Sequence, residues 1–424
     1  MTRLIEYLRQ SLRGIWFRAA LFTVAGIVLA VVAHFLGSLL PTRVSVALGK
    51  DSAASLLQIL ATSMLAVTTF SLTTMVSAYA NATRLGTPRS IQLLIADRTS
   101  HNALSTFVGA FAFSIVGIAA LSLNAYTEPG QTFLFWGTIL VIAIVLVTLL
   151  RWISFLTTFG RMADIIDRVE DAASKAMREY AADPLLGGQP WVDPPSSAVP
   201  VLCDRSGFVV KVDVAALQRI AEQENCMIWV QRRAGSRLFA QHPVAYLGAG
   251  ISQEAHAAVQ RAFVIESHRT FEQDPRLGLI ALSEISSRAL SPGINDPGTA
   301  VEVLSATHSV LGLALRASSV SSSKAPRVHL REIEPRDMLE DAYRPVSRDG
   351  SAFAEVMMRV QRELGALIAA ADGPWTAALR AQAVDSFRRA ERALQHPADI
   401  DEVALLHAHA LSLQATGRDS APQL

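Results

Sequence analysis

The sequence predicts a polytopic α-helical membrane domain with four transmembrane helices, then a cytoplasmic α+β domain made of a small β-rich barrel or sandwich and a helical C-terminal part. Three observations carry this. The first 160 residues hold four long apolar stretches. Of 424 residues, 51% are hydrophobic and only 18% charged, with mean hydropathy +0.31, less charge than the quarter or so that a soluble enzyme of this length usually carries. The arginines and lysines between the stretches alternate in a way that sets an orientation.

A bilayer core about 30 Å thick requires about 20 mainly apolar residues in a helix. Roughly Ile15–Leu40, Ala53–Ala80, Ala103–Ala125 and Thr132–Phe155 meet that length. The first run is too long for a signal-peptide core, and no convincing small-residue cleavage site follows it. Arg3, Arg9, Arg13 and Arg18 precede span one, and Arg84, Arg89 and Arg98 lie between spans two and three. Arg151, Arg161 and Arg168 leave span four, whereas Asn124–Gln131 carries Glu128 and no basic residue. Arg43 and Lys50 run mildly against this pattern. The expected course is in–out–in–out–in, with both termini on the cytoplasmic side of a bacterial inner membrane.

Span two is rich in hydroxyls. Thr62, Thr69, Thr73 and Ser77 recur at spacings that put them on one helical face. Two readings stand. The hydroxyls bond back to the i−4 carbonyl or pack between helices. Alternatively they line a pore or substrate path in a homo-oligomer. His34, near the outer end of span one, reads as an interfacial residue. No carboxylate lies in a span core, which argues against a proton-coupled pump and leaves passive conduction open.

Helical spacing of Met162, Ile165, Ile166, Val169 and Ala173 predicts that span four continues without a flexible break as a connector over 161–182. Residues 183–200, rich in Pro, Gly and Ser, read as a linker. A β-rich unit over 201–250 follows. Gly207–Val212 is a strand with Phe208, Val210 and Val212 on one side, Asp213 caps a short helix through Glu222, and Cys226–Gln231 is a second strand. Gly235–Ser236 is a turn before extended chain over Arg237–Leu247. Cys203 and Cys226 lack metal-ligand spacing and read as reduced and structural. No phosphate-binding glycine motif is present, and a net charge of +1 gives no basis for nucleic-acid binding.

Residues 251–424 form the helical part and carry the densest motif, His268–Pro275 followed by Arg288–Ala300. Both halves contain Asp-Pro before a helical pattern. Asp at N-cap accepts from a first-turn N–H, and Pro at N1 costs no hydrogen bond. Asp274 is therefore expected to start a helix through about Leu290, and Asp296 a helix through about Leu315. The other reading groups Glu272, Asp274, Asn295 and Asp296 as oxygen ligands of a hard cation or as a polar site, with Arg269, Thr270 and Arg288 beside them. Phe353–Leu367 and Trp375–Leu394 mark two further helices, and Asp399 with Glu402 a capping-box start for a third. Residues 318–324 and the last eight read as flexible.

These residues resemble a family of predicted bacterial integral membrane proteins known as domain of unknown function 2254. In the membrane half the resemblance rests on Phe70-Ser71, Pro88-Arg89 and Asp97-Arg98. In the soluble half it rests on Ser206-Gly207-Phe208 with Asp213, on Arg269-Thr270 with Glu272-Gln273-Asp274-Pro275, and on Arg288–Ala300. It covers most of the chain and implies four N-terminal spans and a cytoplasmic domain, without an established reaction or cofactor. The family pattern has a glycine before its proline where this chain has His242 before Pro243, and span two is richer in hydroxyls than that pattern implies.

Three functions follow as expectations. The first is a homo-oligomeric channel with span two lining a path for an ion or small solute and a cytoplasmic vestibule or gate. The second is a membrane-anchored sensor or scaffold whose cytoplasmic domain binds a ligand or partner. The third, a hydrolase using Glu272, Asp274 and Asp296, ranks last because no nucleophile–base pair accompanies them. The chain is expected not to be an enzyme.

Overall fold

The computed structural model describes residues 50–95, 97–123, 128–248, 252–316 and 324–413, with isolated positions between 20 and 32. Span one and the basic residues before it fall almost wholly outside the described residues, as do His34 and most of the two segments read as flexible. The chain divides into two compact units: residues through Leu85 with Ile91–Asp164, and Gly86–Ser90 with Ile165–Leu424.

The first unit is helical. Among the described residues its elements are α1 (Lys50–Leu85), most of α2 (Pro88–Ile95), α3 (Arg98–Ser122) and α4 (Glu128–Thr158). Three segments among the described residues are long and apolar enough to cross a membrane: Ser52–Thr83, Thr99–Ser122 and Gly130–Thr158. These correspond to expected spans two, three and four. Leu57, Leu60, Met64 and Met75 of α1 are buried, as are Phe107, Ala110 and Phe113 of α3. Gly117 of α3 lets Leu57 seat closely, since a Cβ there would lie 3.0 Å from the leucine Cδ1. Asp97 caps α3 through the Thr99 amide at 2.7 Å and the Ser100 amide at 3.2 Å.

The helix expected to run unbroken out of span four is interrupted. α4 ends at Thr158, and the next helix, α5 (Met162–Ala182), begins after Gly160 at φ +78°. The apolar periodicity continues across this break, so a left-handed glycine stops the helix where spacing alone did not.

In the second unit, residues 183–200 are not free of regular structure: β1 (Gln189–Pro190) lies inside them and β2 (Val199–Leu202) begins there. There follow β3 (Gly207–Val212), α6 (Val214–Gln223), β4 (Ile228–Val230), β5 (Arg237–Leu238), β6 (Pro243–Leu247), α7 (Gln253–Arg261) and β7 (Phe263–Glu266). Then come α8 (Pro275–Ala289), α9 (Pro297–Ala314), β8 (Val328–Leu330), α10 (Pro335–Asp349), α11 (Ala354–Ala370), α12 (Gly373–Ala393) and α13 (Pro397–Ser412).

The strands form two sheets over one core. The larger has the order β1-β8-β4-β6-β2, with β8 parallel to both neighbours and the remaining pairs antiparallel. The smaller is the antiparallel β5-β3-β7. Val201, Val209, Leu238, Ala245 and Val328 share a single buried cluster with Leu217 of α6. The side-to-side alternation expected of β3 does not hold: Val209, Val210 and Val212 are all buried, because the register with β7 shifts between Val209 and Lys211. Asp213 caps α6 as expected, accepting from the Ala216 amide at 2.9 Å. β8, supplied from beyond residue 320, lies between β1 and β4.

Helices α8 to α13 form the bundle. The last one starts at Pro397 with His396 at its N-cap and no side-chain cap bond, two residues before the expected Asp399 start. Proline at N1 supplied the start that the capping-box pattern placed later.

Candidate functional site

The Asp-Pro motif sits at the two ends of α8. At the N-terminal end, Asp274 is 1% exposed. Its carboxylate accepts the Leu277 amide at 3.3 Å and two bonds from Arg269, Nε at 2.6 Å and Nη2 at 2.9 Å. Paired bonds of this fork geometry are among the stronger charge-assisted contacts. The turn at Gly235, φ +90°, presses against the same carboxylate: a Cβ there would lie 2.6 Å from Asp274 Oδ2. Gln273 accepts the Val212 amide at 2.9 Å, fastening the motif to β3.

The charges continue along α8. Arg276 donates to Asp341 at 2.6 Å and Asp337 at 2.8 Å on α10. Burial pulls its pKa down, and the hydrogen bond and charge of Asp341, with Asp337, more than offset this, leaving it above the ordinary arginine value. Arg89, which belongs to this unit, pairs with Glu284 of α8. Burial, then the nearby Arg269 charge, hold Arg89 below its ordinary value.

At the C-terminal end of α8 the chain makes a tight turn. The Asn295 amide donates to Ser291 O at 2.9 Å and the Asp296 amide to Ala289 O at 2.8 Å, with Asn295 at φ +54°. Arg288 lies in the last turn of α8, and its carbonyl accepts from Ser291. Asp296 is exposed and caps α9, accepting the Thr299 amide at 3.0 Å and the Thr299 hydroxyl at 2.6 Å. Those bonds, the hydroxyl first, hold its pKa below the usual carboxylate range.

This arrangement does not gather the oxygen ligands considered from sequence. Asp274 and Asp296 flank opposite ends of a 15-residue helix, roughly 22 Å at 1.5 Å per residue. Among the described residues no group of three His, Cys, Asp or Glu side chains is placed to hold a metal ion. Thr270 is half-buried, and Glu272 is exposed at the rim of a cavity beside Phe271 and Gln273. Sequence reasoning missed Gly235, Gln273, Arg276 and the Arg89–Glu284 pair. The positive-φ glycine was visible only as a turn, and no local spacing reports a pair 195 residues apart.

In the first unit, Thr62, Thr69 and Thr73 each donate to the i−4 carbonyl, at 3.0, 2.8 and 3.0 Å. With Ser77 they lie on the exposed side of α1, away from buried Leu57, Met64 and Met75. The threonine back-bonds are therefore made, and the face that carries them is open among the described residues. The outer face of α4 differs, exposing Trp136, Leu140, Val147, Leu150 and Ile153.

Apolar helices of spanning length, joined in one chain to a two-sheet and helical unit, define a membrane protein. The chain belongs to the family described as predicted membrane protein, domain of unknown function 2254, whose model matches residues 13–366. Among curated proteins it is similar to uncharacterised proteins of Mycobacterium bovis and Mycobacterium tuberculosis, 29% identical over 164 residues. The match covers 36% of this chain and 29% of each relative, so the chain spans less than a third of their length. No solved structure matches.

Proposed function

We propose that the protein is a multi-pass protein of the bacterial inner membrane that assembles as a homo-oligomeric pore, with the outer face of α1 lining the path. In this reading span one completes four transmembrane helices, both termini are cytoplasmic, and the second unit forms a vestibule or gate. No catalytic role is proposed.

The observation that supports it is the contrast between two exposed helix faces. α4 presents bulky aliphatic and aromatic side chains, as a lipid-facing surface does. α1 presents Thr62, Thr69, Thr73 and Ser77 among its exposed apolar residues. Because each threonine proton is donated to an i−4 carbonyl, the hydroxyl oxygen keeps lone pairs for an outside donor or cation. Such a face favours water and cations over anions.

The test is flux. Purified protein in liposomes is expected to conduct a cation, and the double change Thr69→Val, Thr73→Val, nearly isosteric, is expected to lower conductance about tenfold or more if the hydroxyls replace part of an ion's hydration. No flux, or unchanged conductance in the double variant, overturns the reading.

A further inference from the structure

The cavities of the second unit differ in the charge they carry. The one beside α5, about 430 Å³, has two lysines and two glutamates on its wall, and one of about 260 Å³ at the Gly235 turn has three arginines against three carboxylates. Two cavities along α12 are not balanced in this way. The larger, about 630 Å³ between α10 and α12, is lined by Arg336, Arg344 and Arg389 with Glu340 and Asp385. The adjoining one, about 480 Å³, shares Ala381 and Asp385 with it and reaches Leu411 of α13. It adds Arg380 and Arg388 without a further carboxylate, so the joint groove carries five arginines and two carboxylates.

The ion pairs inside the groove do not remove this surplus. Arg336 and Arg344 share the one Glu340, at 3.0 and 3.5 Å, and Arg389 holds Asp385 at 2.8 Å. Arg336 and Arg389 each spend Nε on their carboxylate, which leaves the Nη donors of both unspent in these pairs. Arg380 donates Nη2 to the Leu413 carbonyl, a partner without charge. Arg388 is exposed and forms no ion pair among the described residues. The floor is apolar. Ala377 and Ala381 hold exposed positions of α12 one turn apart, where a surface helix ordinarily carries polar side chains, with Leu339, Pro374 and Ala378 beside them. Short side chains there are what opens the groove.

We propose that this groove binds a nucleotide. Its phosphates meet the surplus arginines, whose planar fork matches phosphate oxygens two at a time, and its base lies on the alanine floor. The volume of the larger cavity falls in the range of small-molecule sites. No glycine-rich phosphate loop is present, so side chains and not backbone amides do the holding. The floor separates a nucleotide from an inorganic or peptide polyanion, which would meet the arginines and leave the alanines uncovered. The inference goes beyond the pore reading and does not depend on it, because binding is measured without flux.

The test uses the full-length protein in a maltoside detergent, which carries no charge of its own. Calorimetric titration is run with adenine and guanine mono-, di- and triphosphates, with pyrophosphate, and with hexaglutamate as an acidic peptide. At least one nucleotide is expected to bind saturably and more tightly than pyrophosphate or hexaglutamate. Arg336→Gln and Arg388→Gln are each expected to weaken it about tenfold or more, the effect of losing a charge-assisted contact. Ala381→Leu keeps every charge but fills the floor at an exposed position, and is expected to weaken binding as well. Arg219→Gln, exposed on α6, is expected to leave it unchanged. The inference is overturned if no nucleotide binds, if pyrophosphate or hexaglutamate binds as tightly as the best nucleotide, or if Arg388→Gln and Ala381→Leu both keep affinity within about twofold.

Discussion

Asp274 and Asp296 each precede a proline, start a helix and accept the amide three residues on, with φ −119° and −116° and ψ 86° and 84°. What surrounds them differs. Asp274 is buried, doubly bonded to Arg269 and closed over by the Gly235 turn. Asp296 stands in solvent with Thr299 as its side-chain partner. One local device thus serves in one place as a joint between the β-rich part and the bundle, and in the other as a helix start alone. The capping contribution is common to both. The ion pair is not.

The largest effect should come from separating these contributions at the buried end. Asp274→Asn keeps a capping oxygen but strips the charge from a pair whose members are 16% and 2% exposed. Removing one partner of a buried pair costs about 3–5 kcal/mol. Gly235→Ala should act in the same direction, from a Cβ against the carboxylate and a backbone at φ +90°. Hydrogen exchange of the full-length protein in detergent checks both: amides of α8 should lose protection, with the α9 amides less affected. If Asp274→Asn exchanges like the parent, the pair is not holding that joint.

Asp296→Ala is the matched change at the exposed end and should cost about 1 kcal/mol, the ordinary value of a cap. Its pH dependence has a definite sign. The folded pKa lies below the unfolded one, so the contribution of Asp296 is fully present above the ordinary carboxylate pKa and is lost as pH falls through the folded value. The difference in thermal midpoint between parent and Asp296→Ala should therefore be largest near neutral pH and shrink under acid. A difference that grows on acidification contradicts the cap.

How much of this was legible follows from the range of each interaction. Asp-Pro before an apolar period fixed the starts of α8 and α9 within a residue, because caps and first turns are local. The apolar lengths of α1, α3 and α4 were legible for the same reason. The fate of Asp274 was not, since the site around its pair with Arg269 is closed by the Gly235 turn and tied to Val212 of β3, 39 and 62 residues before Asp274. The break at Gly160 was hidden because the apolar spacing runs through it, and β8 because three residues carry too short a pattern. The exposure of Thr62, Thr69 and Thr73 was half legible. Spacing put them on one face, and only packing against α3 decides which face that is.

The smallest predicted effect refines the comparison most finely. Thr299→Val removes the hydroxyl bonded to Asp296 at 2.6 Å and leaves the amide bond at 3.0 Å. This part-buried hydroxyl bond is one of the two that Asp296→Ala removes, so stability should fall by less than for that variant. The carboxyl titration is the sharper readout. With the Thr299 hydroxyl as the largest cause of its depressed pKa, Asp296 should titrate closer to an ordinary carboxylate in the variant, by NMR of its side-chain carbon. Among the described residues Asp274 has no such hydroxyl partner, so the same change should leave α8 exchange untouched. An effect at α8 would mean that the two ends of the helix are coupled, and that the turn from Ser291 to Asp296 transmits strain instead of merely reversing the chain.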